Sequence, residues 1–133
     1  MNGHYINGFI AVDAYLTLSM GNNHFGTIHF IISQHVNNRS LIESIANYFN
    51  PSIKVRLGRY KDVQIHLRSI SLWENIIFKH FEQYLLYDSK KFKLSKLLII
   101  REIKRNNKHL IKVGKYREWK LDCKLHITNI WNN

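Results

Sequence analysis

An apolar segment, Tyr5-Ile6-Asn7-Gly8-Phe9-Ile10-Ala11-Val12-Asp13-Ala14, stands near the start of the chain and predicts a short helix. It runs without a spacer into residues 15–20, where Leu16, Leu18 and Met20 alternate with Tyr15, Thr17 and Ser19. Alternation of period two marks a strand with one buried and one polar face. Gly21-Asn22-Asn23 is turn chemistry. A second strand follows, with Ile28, Phe30 and Ile32 on one side and Thr27, His29 and Ser33 on the other. Asn37 or Asn38 can cap a helix reaching Phe49, with the apolar stripe Leu41, Ile42, Ile45, Tyr48 and Phe49, and Asn50-Pro51 ends it. Two more alternating runs come next. Ile53, Val55 and Leu57 alternate with Lys54 and Arg56, then Val63, Ile65 and Leu67 with Gln64, His66 and Arg68, around a hairpin loop at 58–61. Ser71-Leu72-Trp73-Glu74 has the spacing of a capping box, opening a helix with Ile76, Ile77, His80 and Phe81. Residues 84–89 connect to a further helix from Phe92 to about Lys108, carrying Leu94, Leu97, Leu98, Ile100 and Ile103. The tail around Tyr116, Trp119, Leu121 and Leu125 fits a strand or a helix equally well.

Hairpins separated by helices imply an α+β fold of order α-β-β-α-β-β-α(-α). Its antiparallel, saddle-shaped sheet carries the helices on one face. With a single proline, Pro51, and no Gly/Ser linker, residues 1–133 read as one domain with a basic C-terminal helix and tail from about 90. The open sheet face would then show Tyr15, Thr17, Ser19, Thr27, His29, Ser33, Lys54, Arg56, Gln64, His66 and Arg68, polar and basic without a carboxylate.

Charge sharpens this picture. Twenty Lys and Arg against nine acids give a formal net charge of +11, which calls for a polyanionic partner. Thirteen of the bases lie between Lys90 and Lys124, opposed only by Glu102, Glu118 and Asp122. Arg39, Arg59, Lys91, Lys96, Lys104, Arg105 and Lys108 therefore join the sheet residues Thr17, Ser19, His29, Lys54, Arg56, Gln64, His66 and Arg68 as candidate nucleic-acid contacts, with affinity concentrated after Ser89. Tyr15, Tyr60, Tyr116 and Trp119 are candidates for base stacking, whereas Trp73 reads as core. Cys123 stands alone, which excludes an internal disulfide or a cysteine metal site. His24, His29, His35 and His66 lack metal-ligand spacing, and there is no Gly-rich phosphate loop. No apolar run approaches a membrane span, and residues 1–8 lack the features of a secretion signal. The abundance of Ile, Asn, Lys, Tyr and Phe suits an AT-rich genome, so the expected site is the mitochondrial matrix, with the chain organelle-encoded.

The segment Tyr5 to Ala14 resembles a degenerate LAGLIDADG motif of the homing-endonuclease family. The similarity continues through the following strand, Phe30-Ile31-Ile32-Ser33-Gln34, the helix from Leu41 to Phe49, and residues 67–92, so it spans most of 5–100. In that family two such helices pack through small residues, and acids at their C-terminal ends bring divalent metal to the scissile phosphates. The resemblance makes Asp13 the metal-holding acid, with Gln34 and Lys90 as the polar residues around the attacking water. The departures are Ala11 at the first acidic position, Val12 where a small residue is usual, and Ala14 for the closing glycine. Asn38 stands where some members carry a base, and the connector passes from Tyr84 to Leu85 without the usual proline.

These departures imply a weakened helix pairing, a monomer, and lost cleavage with no cofactor required. The expected role is binding structured RNA inside a larger ribonucleoprotein, with no membrane partner: a structural organellar ribosomal component on rRNA, or a splicing maturase on intron RNA. The alternative is an active homodimeric endonuclease that cuts double-stranded DNA with Mg²⁺ held by Asp13. A protein-only scaffold would leave the charge unexplained.

Overall fold

Asn2 starts the first helix, its side-chain oxygen accepting the Tyr5 N–H at 2.9 Å and so satisfying a donor that the first turn leaves open. In the computed structural model, which describes residues 2–21, 24–105 and 109–133, helix α1 runs over Gly3–Asp13. Ala14 is already extended (φ −88°, ψ 149°), so the chain passes from the last helical residue straight into β1 (Ala14–Leu18). Ile6 and Ile10, four apart, bury one side of α1, and Gly3 lets the Tyr84 ring lie against the helix start. The opposite side of α1 is open, with Tyr5, Gly8 and Val12 exposed.

Strands β2 (Ile28–His35), β3 (Arg56–Leu57) and β4 (Asp62–Leu67) complete an antiparallel sheet of order β1-β2-β4-β3. Thr17 faces His29, Ile31 faces His66 and Ser33 faces Gln64. Leu16, Leu18, Ile28, Phe30, Ile32, Val63, Ile65 and Leu67 all point into one core. It is covered by α2 (Arg39–Phe49), entered through a 3₁₀ turn at Val36–Asn38, and by a continuous helical stretch. That stretch comprises α3 (Ile70–Leu72), a π turn (Trp73–Ile77) and α4 (Phe78–Gln83). Trp73 is fully buried, as its sequence context implied, and donates its indole N–H to the Leu67 carbonyl at 3.2 Å. Helix α5 (Asp88–Lys104) closes this layer with Leu94, Leu97 and Ile100.

The structure corrects several boundaries. Strand β3 is two residues long and Leu57 is 68% exposed, because β3 is the outer strand and the helices only partly cover Ile53 and Val55. The helix after β4 starts at Ile70, behind Ser69, and the Ser71 hydroxyl accepts from Asn75 instead of capping. Helix α5 begins at Asp88 rather than Phe92. The tail forms both kinds of element: a hairpin of β5 (Leu110–Val113) and β6 (Tyr116–Trp119), then α6 (Leu121–Asn132). The turn residues Asn22 and Asn23, and Lys108, lie outside the described residues. Among the described residues no helix is long and apolar enough to cross a membrane.

Trp119 anchors this C-terminal module, packing edge-on against Phe25 (5.1 Å between centroids) and against His109 (4.3 Å). It lies where a Cβ on Gly26 would be, and Gly26 has φ +80°. Gly26→Ala therefore meets both a left-handed backbone and an occupied site. Its expected cost is about 1–2 kcal/mol from the backbone alone, with the clash added, and a urea titration measures it.

Candidate functional site

Helix α1 ends at Asp13, and β2 sets what stands beside it. Inward positions of β2 follow Ile28, Phe30 and Ile32, so Gln34 is next on the same face, beyond the apolar core. Its Nε2 donates to Asp13 Oδ2 at 2.7 Å. Asn38, on the following turn, donates from Nδ2 to Gln34 Oε1 at 3.1 Å. From the first turn of α5, Lys90 Nζ donates to the Ile10 and Ala11 carbonyls at 2.6 and 2.7 Å. A cation on the last carbonyls of a helix offsets the negative end of its dipole. Burial lowers the Lys90 pKa, against the opposing pull of Asp13, with Lys93 lowering it further. The three residues assigned to one catalytic group by resemblance are thus brought together, with Asn38 as an added orienting residue.

Metal fit follows from the donor set. Carboxylate oxygens suit hard divalent cations, and Mg²⁺ is commonly held by one or two carboxylates together with substrate phosphates. Asp13 gives one oxygen to Gln34 and keeps Oδ1 clear of any hydrogen bond among the described residues. No group of three His, Cys, Asp or Glu side chains there could cage a metal. Asp13 by itself fits as one ligand of such a cation and not as a complete site.

The polar sheet face carries a row of its own. The Ser19 hydroxyl lies 2.5 Å from His29 Nε2, and His29 Nδ1 lies 2.8 Å from His66 Nε2, joining β1, β2 and β4 at one end of the sheet. Burial first, then His66, Arg68, His24 and Lys104, lowers the pKa of His29. Burial, Arg68 and Arg56 lower that of His66. Thr17, Ser33 and Gln64 share this face, and Tyr15 stands exposed upon it.

Other candidates fall elsewhere. Lys54, Arg56, Arg59 and Arg68 are exposed along the β3 edge and the β4 end. Arg39 is engaged with Glu43 along α2, at 2.8 Å. Lys96 turns inward to the Trp131 carbonyl at 3.0 Å, and Lys104 to the Gly26 carbonyl at 2.7 Å, where burial lowers its pKa. Both hold α5 to its neighbours rather than offering a charge to phosphate. Arg105 pairs with Glu102 and Lys91 is exposed on α5. The face also has a carboxylate after all, since Asp62 alternates with Val63 and Ile65. It accepts the Tyr60 N–H at 3.2 Å and shapes the β3–β4 loop. Tyr60 and Tyr116 are exposed, but Trp119 is held in packing and is no free stacking platform.

The sequence reading missed a linkage behind α1. Asn7 Nδ2 donates to the Tyr84 and Leu85 carbonyls, both at 3.0 Å, so its Oδ1 accepts from His80 Nε2 at 2.7 Å. His80 Nδ1 then accepts from Tyr48 Oη at 3.2 Å, and burial lowers the His80 pKa to about 4. These bonds fasten the connector to α1 without a proline. A polar Asn inside an apolar helix was the available signal.

Comparison with solved structures agrees with this fold. The homing endonuclease I-GzeII in complex with its DNA target superposes with a TM-score of 0.81 at 16% identity, over 99% of this chain and 43% of that one. The meganuclease I-AabMI bound to uncleaved DNA gives 0.74 at 24% identity, over 82% and 39%. The homing endonuclease I-TnaI gives 0.75 at 16%, over 98% and 86%. The chain thus spans less than half the length of the first two. No curated protein sequence matches it significantly. A family model described as LAGLIDADG endonuclease matches residues 6–101, which contain the Asp13, Gln34 and Lys90 constellation. The chain belongs to the LAGLIDADG endonuclease family.

Proposed function

We propose that this domain is one DNA-binding half of a LAGLIDADG endonuclease, with Asp13 one of two acids that hold divalent metal at the cut. The observation that carries the reading is the orientation of Asp13 by Gln34 at the end of a helix whose outer side, Tyr5, Gly8 and Val12, is exposed and largely apolar. A second LAGLIDADG helix on that side, from another copy or another half, would supply the second acid. A Cβ at Gly8 would meet nothing within 4 Å, which leaves room for a partner. Ala14 is 2% exposed and faces the core, so its side chain does not enter the seam; Val12, 79% exposed, does. Ala14 therefore drops out of the departures from which a monomer was expected.

A bound divalent ion supplies charge neutralisation at the phosphate and a more acidic water. The chain's own part is positional. Gln34, steadied by Asn38, keeps the Asp13 carboxylate turned to one side, and Lys90 occupies the carbonyls that would otherwise repel an incoming phosphate. The polar sheet face, through Thr17, Gln64, Arg56 and Arg68, would lie along the duplex.

Structured RNA offers the same phosphates, so the deciding experiment sets the two side by side. The expected result is a dimer in sedimentation and tighter binding to a mixed-sequence DNA duplex than to a folded RNA of equal length at matched salt. A monomer that prefers RNA would overturn this reading in favour of a catalytically silent RNA-binding role in an organellar ribosome or in splicing.

A further inference from the structure

The hairpin β5–β6 places like charges together. Lys112 and Arg117 are directly opposed in its register, on the face that also carries Leu110 and Trp119. Like charges directly opposite one another on a sheet are destabilising, and neither residue makes an ion pair among the described residues. Lys115 adds a third exposed cation at the tip beside Gly114. A solvated hairpin normally relieves such a pair with an acid. Here Glu118 is paired instead with Ile111, on the other face.

That face leads into a groove. An open channel of about 500 Å³ separates the hairpin from the β1–β2 connection, and its cationic lining is Arg117 and Lys124, with His24 and Thr27 beside them. Phe25 and Trp119 also line it, and Lys124 is fixed over the Phe25 ring at 5.1 Å. Glu118 is the one acid at its rim among the described residues. The groove meets the end of the sheet where Ser19, His29 and His66 form their row, and His24 is close enough to that row to lower the His29 pKa.

We propose that the hairpin and this groove hold the phosphodiester backbone of a DNA duplex, prolonging the sheet's polar face beyond the β1–β2 end. The inference rests on the DNA-binding reading above and adds to it a contact surface outside the four-stranded sheet. The backbone phosphates take the place of the missing acid between Lys112 and Arg117. Arg117, next to the groove, and Lys112, farther out, would meet successive phosphates. The anchor at Trp119 and Gly26 keeps the hairpin stationary while it does so.

The test is the salt dependence of affinity for a mixed-sequence DNA duplex, with the full chain and with the double variant Lys112→Gln/Arg117→Gln. Each phosphate contact contributes about 0.9 to the slope of log K against log salt, so the variant's slope should fall by about 1.8. Both residues are exposed, so its melting midpoint should hold or rise as the repulsion disappears. The control Lys79→Gln removes a charge from an exposed position on α4 and should keep the wild-type slope. A double variant with an unchanged slope, or one matching an equal fall in the control, overturns the hairpin contact while duplex binding itself stands. A wild-type chain with no salt-dependent affinity for the duplex defeats the DNA-binding reading, and this contact with it.

Discussion

Asp13→Asn is expected to yield a protein that still binds duplex DNA but no longer cuts it in Mg²⁺. Asparagine keeps the shape of the side chain, and its Oδ1 can accept the same Gln34 hydrogen bond, so the end of α1 should stay in place. What is lost is the negative charge that makes the group a ligand for a hard cation. A divalent ion contributes several kcal/mol to phosphodiester hydrolysis, so the loss in cutting rate should be on the order of a thousandfold or more. Affinity should change little, with a slight gain as a carboxylate ceases to repel phosphate. The measurement is cleavage of a duplex library with randomised central positions by wild type and variant. If a dimeric, DNA-bound wild type leaves that library intact, the catalytic half of the proposal fails and the silent role implied by Ala11 and Val12 takes its place.

Acid should weaken the fold through His80. Its folded-state pKa is about 4, below the ordinary value of 6.5, because burial penalises the imidazolium. The bond to Asn7 Oδ1 needs a proton on Nε2, so in the neutral ring Nδ1 holds the lone pair and accepts from Tyr48. The sign follows directly. Above pH 6.5 the ring is neutral in both states and carries no penalty. As pH falls below 6.5 the unfolded chain takes up the proton first, and stability drops until about pH 4, where the folded ring is protonated too. The span corresponds to about 3 kcal/mol. Urea titrations at pH 7 and pH 4 measure it, and His80→Gln should remove this share of the pH dependence. The lowered pKa values of His29, His66 and His109 act in the same direction, so the difference between wild type and His80→Gln isolates the one ring. An identical pH profile in the two proteins would show that His80 carries none of the acid sensitivity.

Burial decides what was legible in this chain beforehand. In β1, β2 and β4 every second residue is locked into the core, so the alternation of Leu16 and Leu18, or of Val63, Ile65 and Leu67, is enforced by packing and visible as a pattern. Strand β3 obeys no such constraint at Leu57, and there the pattern misled. Asp13, Gln34 and Lys90 were recognisable only through the family resemblance, because a lone carboxylate, amide or lysine in such places has no local signature of a shared site. Charge was legible, but its direction was not. The long stems of Lys96 and Lys104 let their ammonium groups curl onto carbonyls of other segments, which no local pattern reveals. The Asn7–His80 bond joins residues 73 positions apart, and no periodicity connects them.

The direct passage from α1 into β1 makes the domain a ruler. Because no loop intervenes, the offset between Asp13 and the Ser19 end of the sheet is set by strand geometry alone. The six residue steps from Asp13 to Ser19, at about 3.3 Å each, give about 20 Å, which is about six nucleotide steps along one strand of B-form DNA. On the proposed DNA-binding reading, phosphates held at that end would sit a fixed number of base pairs from the one beside Asp13. Two such domains facing each other across α1 would define a target by its length before any base is read.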